Sequence, residues 1–133
     1  VGTNDDLSKV DIISTVTPSR NPLFDHESLK PGVHINAIGS FKPSMVEIPI
    51  ETIISSNVFV DSIEACKDEA GDLINASENS DWTFNDVCCE VGDIVNNRAA
   101  YKQNSKKITL FKSVGIGIQD LVMSELILDK LGN

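Results

Sequence analysis

The sequence predicts an α/β fold: an open, mainly parallel sheet of about four strands with flanking helices on both faces. Three observations predict it. Four short runs rich in Val and Ile are each bounded by Pro, Gly, Asp or Ser. Helical patterns lie between those runs. The runs are also nearly continuous in apolar character, the pattern of strands buried on both faces of a parallel sheet. At 133 residues the chain is one domain by size, long enough for a real core. With 41% hydrophobic and 23% charged residues, its composition is that of an ordinary soluble globular protein.

The elements follow in order. "VDIISTV" (Val10–Val16) is the first strand and "VHINAIG" (Val33–Gly39) the second. "EIPIETIISS" (Glu47–Ser56) reads as a helix, with Pro49 in the first turn, where a missing N–H is tolerated. "NVFVD" (Asn57–Asp61) is the third strand. The next helix is expected over "DSIEACKDEAGDLI", opened by a capping box with Asp61 as cap and Glu64 three residues on. Thr83 and Asp86 repeat that spacing in "TFNDVCCEVGDIV", so Thr83 is expected to cap a further helix. "NSKK" (Asn104–Lys107) is a loop before the last strand, "ITLF" (Ile108–Phe111). The final helix, Gly117–Leu131, carries apolar residues all around its wheel. A helix without a wet face is usually covered on several sides, and so short a chain does not supply that cover. No internal repeat or low-complexity segment is present.

The formal charge of -9 argues against a nucleic-acid or anionic-membrane partner, since both require clustered Lys and Arg. Acid concentrates between Glu64 and Asp93 against the lone Lys67, and reads as solvated helix faces. Cys66, Cys88 and Cys89 cannot all pair within one chain, and adjacent cysteines rarely bridge, which points to a reducing, cytoplasmic setting. His26 and His34 stand far from the cysteines, so no metal site is expected. No apolar run approaches the roughly 18 residues of a membrane span, and no signal peptide is visible. The opening "VGTNDDL", without an initiating Met, reads as part of something longer.

Ligands of open α/β sheets bind beyond the carboxyl ends of the strands. Here those ends are "TVTPSRNP", "NAIGSFKP", "VDS" and "FKSVG", whose small and hydroxyl residues let a ligand approach the backbone. The stretch "ITLFKSVGIGIQDL" (Ile108–Leu121) looks at first like a dinucleotide phosphate loop: a strand, a glycine pair, a helix. Its third glycine is missing, because Gly115-Ile116-Gly117 continues as Ile118-Gln119-Asp120. Of the remaining candidates, His34 reads as a hydrogen-bonded structural histidine and Asp61 as a helix cap. Lys112 reads as an exposed lysine, and Arg20 either meets an anion or is solvated.

"DIISTVTPSRNPLF", "LKPGVHINAIGSFKPSMVEI", "VFVDSIEACKDEAGDLI" and "ITLFKSVGIGIQDL" together resemble the carboxyl-terminal part of the ornithine cyclodeaminase/mu-crystallin family, in order from about Asp6 to Leu131. The family binds NAD or NADP on a Rossmann domain and acts on amino or imino acids. Its members include ornithine cyclodeaminase, alanine dehydrogenase and cyclic-imine reductases, and mu-crystallin also binds thyroid hormone. The resemblance implies that residues 1–115 are the second half of a Rossmann-type sheet and that 116–133 form a helix packing on a substrate domain outside this chain. It implies no phosphate role for Gly115-Ile116-Gly117, because the family's GxGxQ turn lies earlier. It places Thr15, Val16 and Thr17 beside the cofactor, Ala37, Ile38 and Gly39 along the nicotinamide pocket, and Ser113 at the nicotinamide, with Val114 facing substrate. Thr15 and Thr17 read equally well as strand-end caps, and Gly39 as a tight turn.

One departure matters. Cyclodeaminases carry an acid shortly after the "NA(I/V)G" block, and the matching position here is Phe41, which cannot serve as general acid or base. An imine reductase or amino-acid dehydrogenase, an oxidoreductase rather than a lyase, is then at least as well supported. The expected partners are a small amino or imino acid and further copies of the chain. Two alternatives stand beside the enzyme: a non-catalytic small-ligand-binding protein on the same scaffold, and an unrelated α/β interaction module.

Overall fold

The structure, a computed structural model, describes residues 4–102 and 104–132. Five parallel strands form one sheet: β1 (Ile12–Thr15), β2 (His34–Ala37), β3 (Asn57–Val60), β4 (Cys89–Glu90) and β5 (Thr109–Lys112). Their spatial order is β1-β2-β5-β3-β4, so the last strand in sequence lies near the middle. In register, Ile13 stands beside Ile35, Ile35 beside Leu110, and Leu110 beside Val58. These side chains form one core with Ile53 of α1 (Ile50–Ser55), Cys66 of α2 (Ile63–Glu69), and Leu73 and Ala76 of α3 (Gly71–Asn79). Full burial of each aliphatic side chain stabilises the fold by roughly 1.5–3 kcal/mol.

The expectation of strands buried on both faces is corrected for the β1 side of the sheet. β1, β2 and β5 alternate between closed and open positions, and Ile12 is 63% exposed. On the second face, Ile94 of α4 (Val91–Val95) and Tyr101 border Phe59, His34 and Thr109. Phe59 and Tyr101 meet edge-to-face at 4.9 Å. His34 uses Nδ1 toward the Thr109 hydroxyl at 2.8 Å and Nε2 toward Asn36 Oδ1 at 3.2 Å, the structural role that its sequence position suggests.

Two expected helices are cut short by tertiary demands. Thr83 does build a capping box with Asp86, but over the 3₁₀ turn Phe84–Asp86 alone. The Cys88 N–H then donates to Val58 O at 2.8 Å, and the chain becomes β4 instead of continuing as helix. Pairing of Cys89 and Glu90 with Phe59 and Val60, together with burial of Val87, overrides the local helical pattern. The run after Asp61 breaks at Ala70 into α2 and α3. Gly71 lies directly against the backbone carbonyls of Met45 and Lys42, so close that a Cβ has no room. The cap of α2 is Ser62, whose hydroxyl accepts from Ala65 N at 3.3 Å. Asp61 is not that cap. The last helix, α5 (Gly117–Leu131), buries none of its residues. Among the described residues no helix is long and apolar enough to cross a membrane.

Candidate functional site

The carboxyl ends of β1, β2 and β5 open onto a cleft of about 460 Å³. Val16, Thr17 and Pro18 come from the first end, Ile38, Gly39 and Phe41 from the second, and Ser113, Val114 and Gly115 from the third, with Gln119 added by α5. The positions expected at a shared edge (Val16, Thr17, Ile38, Gly39, Ser113, Val114) thus line one cavity. Thr15 and Ala37 do not line it. Strand alternation turns both into the interior, where Ala37 is core and the Thr15 hydroxyl donates to Glu47 Oε2 at 2.8 Å. A groove of about 500 Å³ beside Trp82 includes Ser56, at the amino-terminal end of β3, and belongs to a different edge.

Two carboxylates hold the cleft in shape. Glu47 is fully buried, and both of its oxygens are used. Oε1 accepts the Thr17 N–H at 2.5 Å and the Thr17 hydroxyl at 2.8 Å, while Oε2 accepts the Gly39 N–H at 2.9 Å besides the Thr15 hydroxyl. One side chain therefore ties the end of β1 to the end of β2. Gly39 is required there, because a Cβ would run into the Thr17 backbone. Asp61 does the same for the β5 turn. Its Oδ2 accepts from the Ser113 hydroxyl at 2.7 Å and from the N–H groups of Val114 and Gly115, each at 3.0 Å. Gly115 supplies the left-handed φ of 83° that this turn needs.

Beneath the cleft lies a buried ion pair. Asp72 Oδ1 accepts the N–H groups of Glu47 at 2.6 Å and Ile48 at 3.0 Å, which fixes the backbone that carries the Glu47 clamp. Its Oδ2 faces Lys112 Nζ at 3.4 Å, and neither atom completes a hydrogen bond. Burial pushes the Asp72 carboxyl up and the Lys112 amine down, each opposed by the other's charge. Lys112, expected to be exposed, is wholly buried: it falls on the inward face of β5, level with Ala37 and Val60. Asp72 likewise departs from the solvated acidic faces expected of its segment. Burial and then the neighbouring Asp61 carboxylate push the Cys66 thiol up to about 12.

Sequence reasoning missed Glu47 and Asp72, and gave Asp61 the wrong task. A signal existed. Glu47 sits between Val46 and Ile48, and Asp72 between Gly71 and Leu73, so each is an acid inside an apolar stretch. Arg20 is exposed and pairs through its backbone with Val46. Phe41 lines the cleft with 44% of its surface exposed, and Lys42 Nζ stands 5.6 Å from its ring centroid.

A parallel α/β sheet with its cleft beyond the strands' carboxyl ends places the chain in the class of Rossmann-type folds. The particular family follows from comparison: the chain belongs to the ornithine cyclodeaminase/mu-crystallin family, whose model matches residues 1–133. It is 41% identical over 128 residues to a Delta(1)-pyrroline-2-carboxylate reductase of Bacillus thuringiensis, covering 96% of this chain and 39% of that protein. It is 34% identical over 123 residues to the ketimine reductase mu-crystallin of Mus musculus, covering 92% of this chain and 36% of that one. Among solved structures it superposes with a TM-score of 0.89 on the Delta(1)-pyrroline-2-carboxylate reductase of Thermococcus litoralis in complex with NADH and L-proline. The identity there is 31%, over 96% of this chain and 39% of that one. The chain thus spans about two-fifths of the length of these relatives.

Proposed function

We propose that this chain is the NAD(P)-binding Rossmann portion of a family enzyme acting on small amino or imino acids, with cyclic-imine reduction favoured over cyclodeamination. One observation carries the reading: Val16, Thr17, Ile38, Gly39, Ser113 and Val114 converge on one cleft at the sheet edge where such folds bind ligands. The lining suits the nicotinamide end of the cofactor. Val16, Ile38 and Val114 offer apolar walls to a flat ring, and the Thr17 and Ser113 hydroxyls offer polar contacts. It does not suit the pyrophosphate, since the Val114 and Gly115 N–H groups are already held by Asp61. When bound, the cofactor supplies hydride chemistry. The protein positions the ring, keeps water from its apolar walls, and leaves no acid at Phe41 for proton transfer.

In this reading residues 1–115 complete a Rossmann sheet and α5 packs on a substrate domain supplied elsewhere in the protein. The whole protein is a cytoplasmic homo-oligomer, and these 133 residues alone are inactive. A chimera tests it: this chain replaces the matching segment of the Bacillus thuringiensis reductase, with which it shares 41% identity. NADH oxidation dependent on a cyclic imine is expected. Cofactor binding without turnover would favour the non-catalytic ligand-binding protein instead. A folded chimera that binds no dinucleotide would overturn the proposal.

A further inference from the structure

Both hydroxyls that line the cleft have their hydrogens committed. A carboxylate only accepts, so the 2.8 Å contact between Thr17 Oγ1 and Glu47 Oε1 is donated by threonine. By the same argument Ser113 donates to Asp61 Oδ2 at 2.7 Å. Each oxygen also receives one backbone N–H, from Ser19 to Thr17 and from Gly115 to Ser113, both at 3.3 Å. A hydroxyl has two lone pairs, which leaves one acceptor site on each and no donor. Turning either hydroxyl toward a ligand would sacrifice a charge-assisted bond, about twice as strong as a neutral one.

The backbone follows the same rule. The N–H groups of Thr17, Gly39, Val114 and Gly115, which line the cleft and could otherwise cradle an anion, all point into Glu47 or Asp61. Gln119 is the other polar side chain of the lining, and its carboxamide serves either role.

We infer that the cleft walls at Thr17 and Ser113 are acceptor-only, so that they select a ligand group carrying N–H donors and reject a carboxylate or phosphate. The donor is either a carboxamide or a protonated cyclic amine or imine. This rests on the proposed function in using the same cleft, but it concerns the polarity of the walls and not the identity of the cofactor.

The test uses amide NMR of the 133-residue chain with four small probes: nicotinamide, its carboxylate analogue nicotinate, 3-acetylpyridine, which lacks N–H donors, and pyrrolidine as an ammonium. Nicotinamide or pyrrolidine is expected to shift the Thr17, Gly39, Ser113 and Gly115 resonances with an affinity about tenfold or more above nicotinate and acetylpyridine, the loss expected for one unmatched buried hydrogen bond. Which of the two donors wins identifies the source of the N–H. Thr17→Val and Ser113→Ala should each shrink the preference, and Thr17→Ser should keep it. Nicotinate binding as well as nicotinamide would overturn the inference while leaving a ring-binding cleft intact. Shifts from none of the four probes would overturn it together with the cofactor reading.

Discussion

Lys112 and Asp72 face each other at 3.4 Å with side chains 0% and 1% exposed. Burial disfavours both charges, so the pair is held together less by its own attraction than by what each loses if left alone. Lys112→Met leaves a buried carboxylate and should cost about 3–5 kcal/mol in urea unfolding. The Lys112→Met/Asp72→Asn double variant should recover much of that, because Asn keeps an acceptor for the Glu47 and Ile48 N–H groups. Losses that simply add would show that the two side chains are uncoupled.

Asp61 is expected to be the latch of the β5 turn. Asp61→Ala removes the acceptor for Ser113, Val114 and Gly115 at once. Hydrogen exchange of the Val114 and Gly115 amides should quicken by about tenfold or more, while Leu110 in the ladder keeps its protection. Equal acceleration at all three amides would mean global destabilisation instead.

Glycines separate tight sites from open ones. Gly39→Ala drives a methyl into the Thr17 backbone and the Glu47 carboxylate, and should cost about 3 kcal/mol or more. Gly117→Ala, in open space at the start of α5, should be neutral or stabilising by up to about 1 kcal/mol. Thermal melts of the two variants give the comparison directly.

Thiol chemistry should distinguish the three free cysteines. Exposed Cys88 should alkylate first, and Cys66, buried with its thiol pushed up to about 12, should resist until the protein unfolds. The native thiol holds its proton above the ordinary value of 9.0. Stability from this group is therefore complete below about 9 and falls as pH rises toward about 12, by at most about 1.4 kcal/mol per pH unit. Cys66→Ala should flatten that alkaline slope, and an unchanged slope would remove Cys66 as its cause.

Exposed apolar surface on α5 should drive association. Leu121 and Val122 are each 55% exposed, Leu126 48% and Leu128 68%. Patches above a few hundred Å² tend to find a partner. Light scattering of the isolated chain should show a dimer or larger, and Leu126→Glu should shift it toward monomer.

The α/β class, four strands and α5 were legible because their signals are local: Val and Ile runs, turn residues and one long helical wheel. β4 was not, since "VCCEVGDIV" carries a helical pattern that only pairing with Phe59 and Val60 overrules. The cleft edge was legible from the small residues at strand ends and from the family resemblance. The parts that hold it were not. Glu47, Asp61, Asp72 and Lys112 meet across long sequence separations, and nothing local marks a lysine as buried or an acid as the latch of a distant turn. Thr15 and Ala37 were expected at the cleft from their strand-end positions and the family resemblance, and strand alternation turns both inward.

The position of β5 sets the order in which this molecule can assemble. β2 and β3 do not pair with each other, and both pair with β5, which arrives in the last quarter of the chain. Among the described residues, until Thr109–Lys112 docks, the strands can pair only as two separate ribbons, β1-β2 and β3-β4. Each would present an unpaired hydrophobic edge to the cell during that interval. Closure of this sheet is therefore expected to be slow, with a transition state that waits for β5 as its keystone.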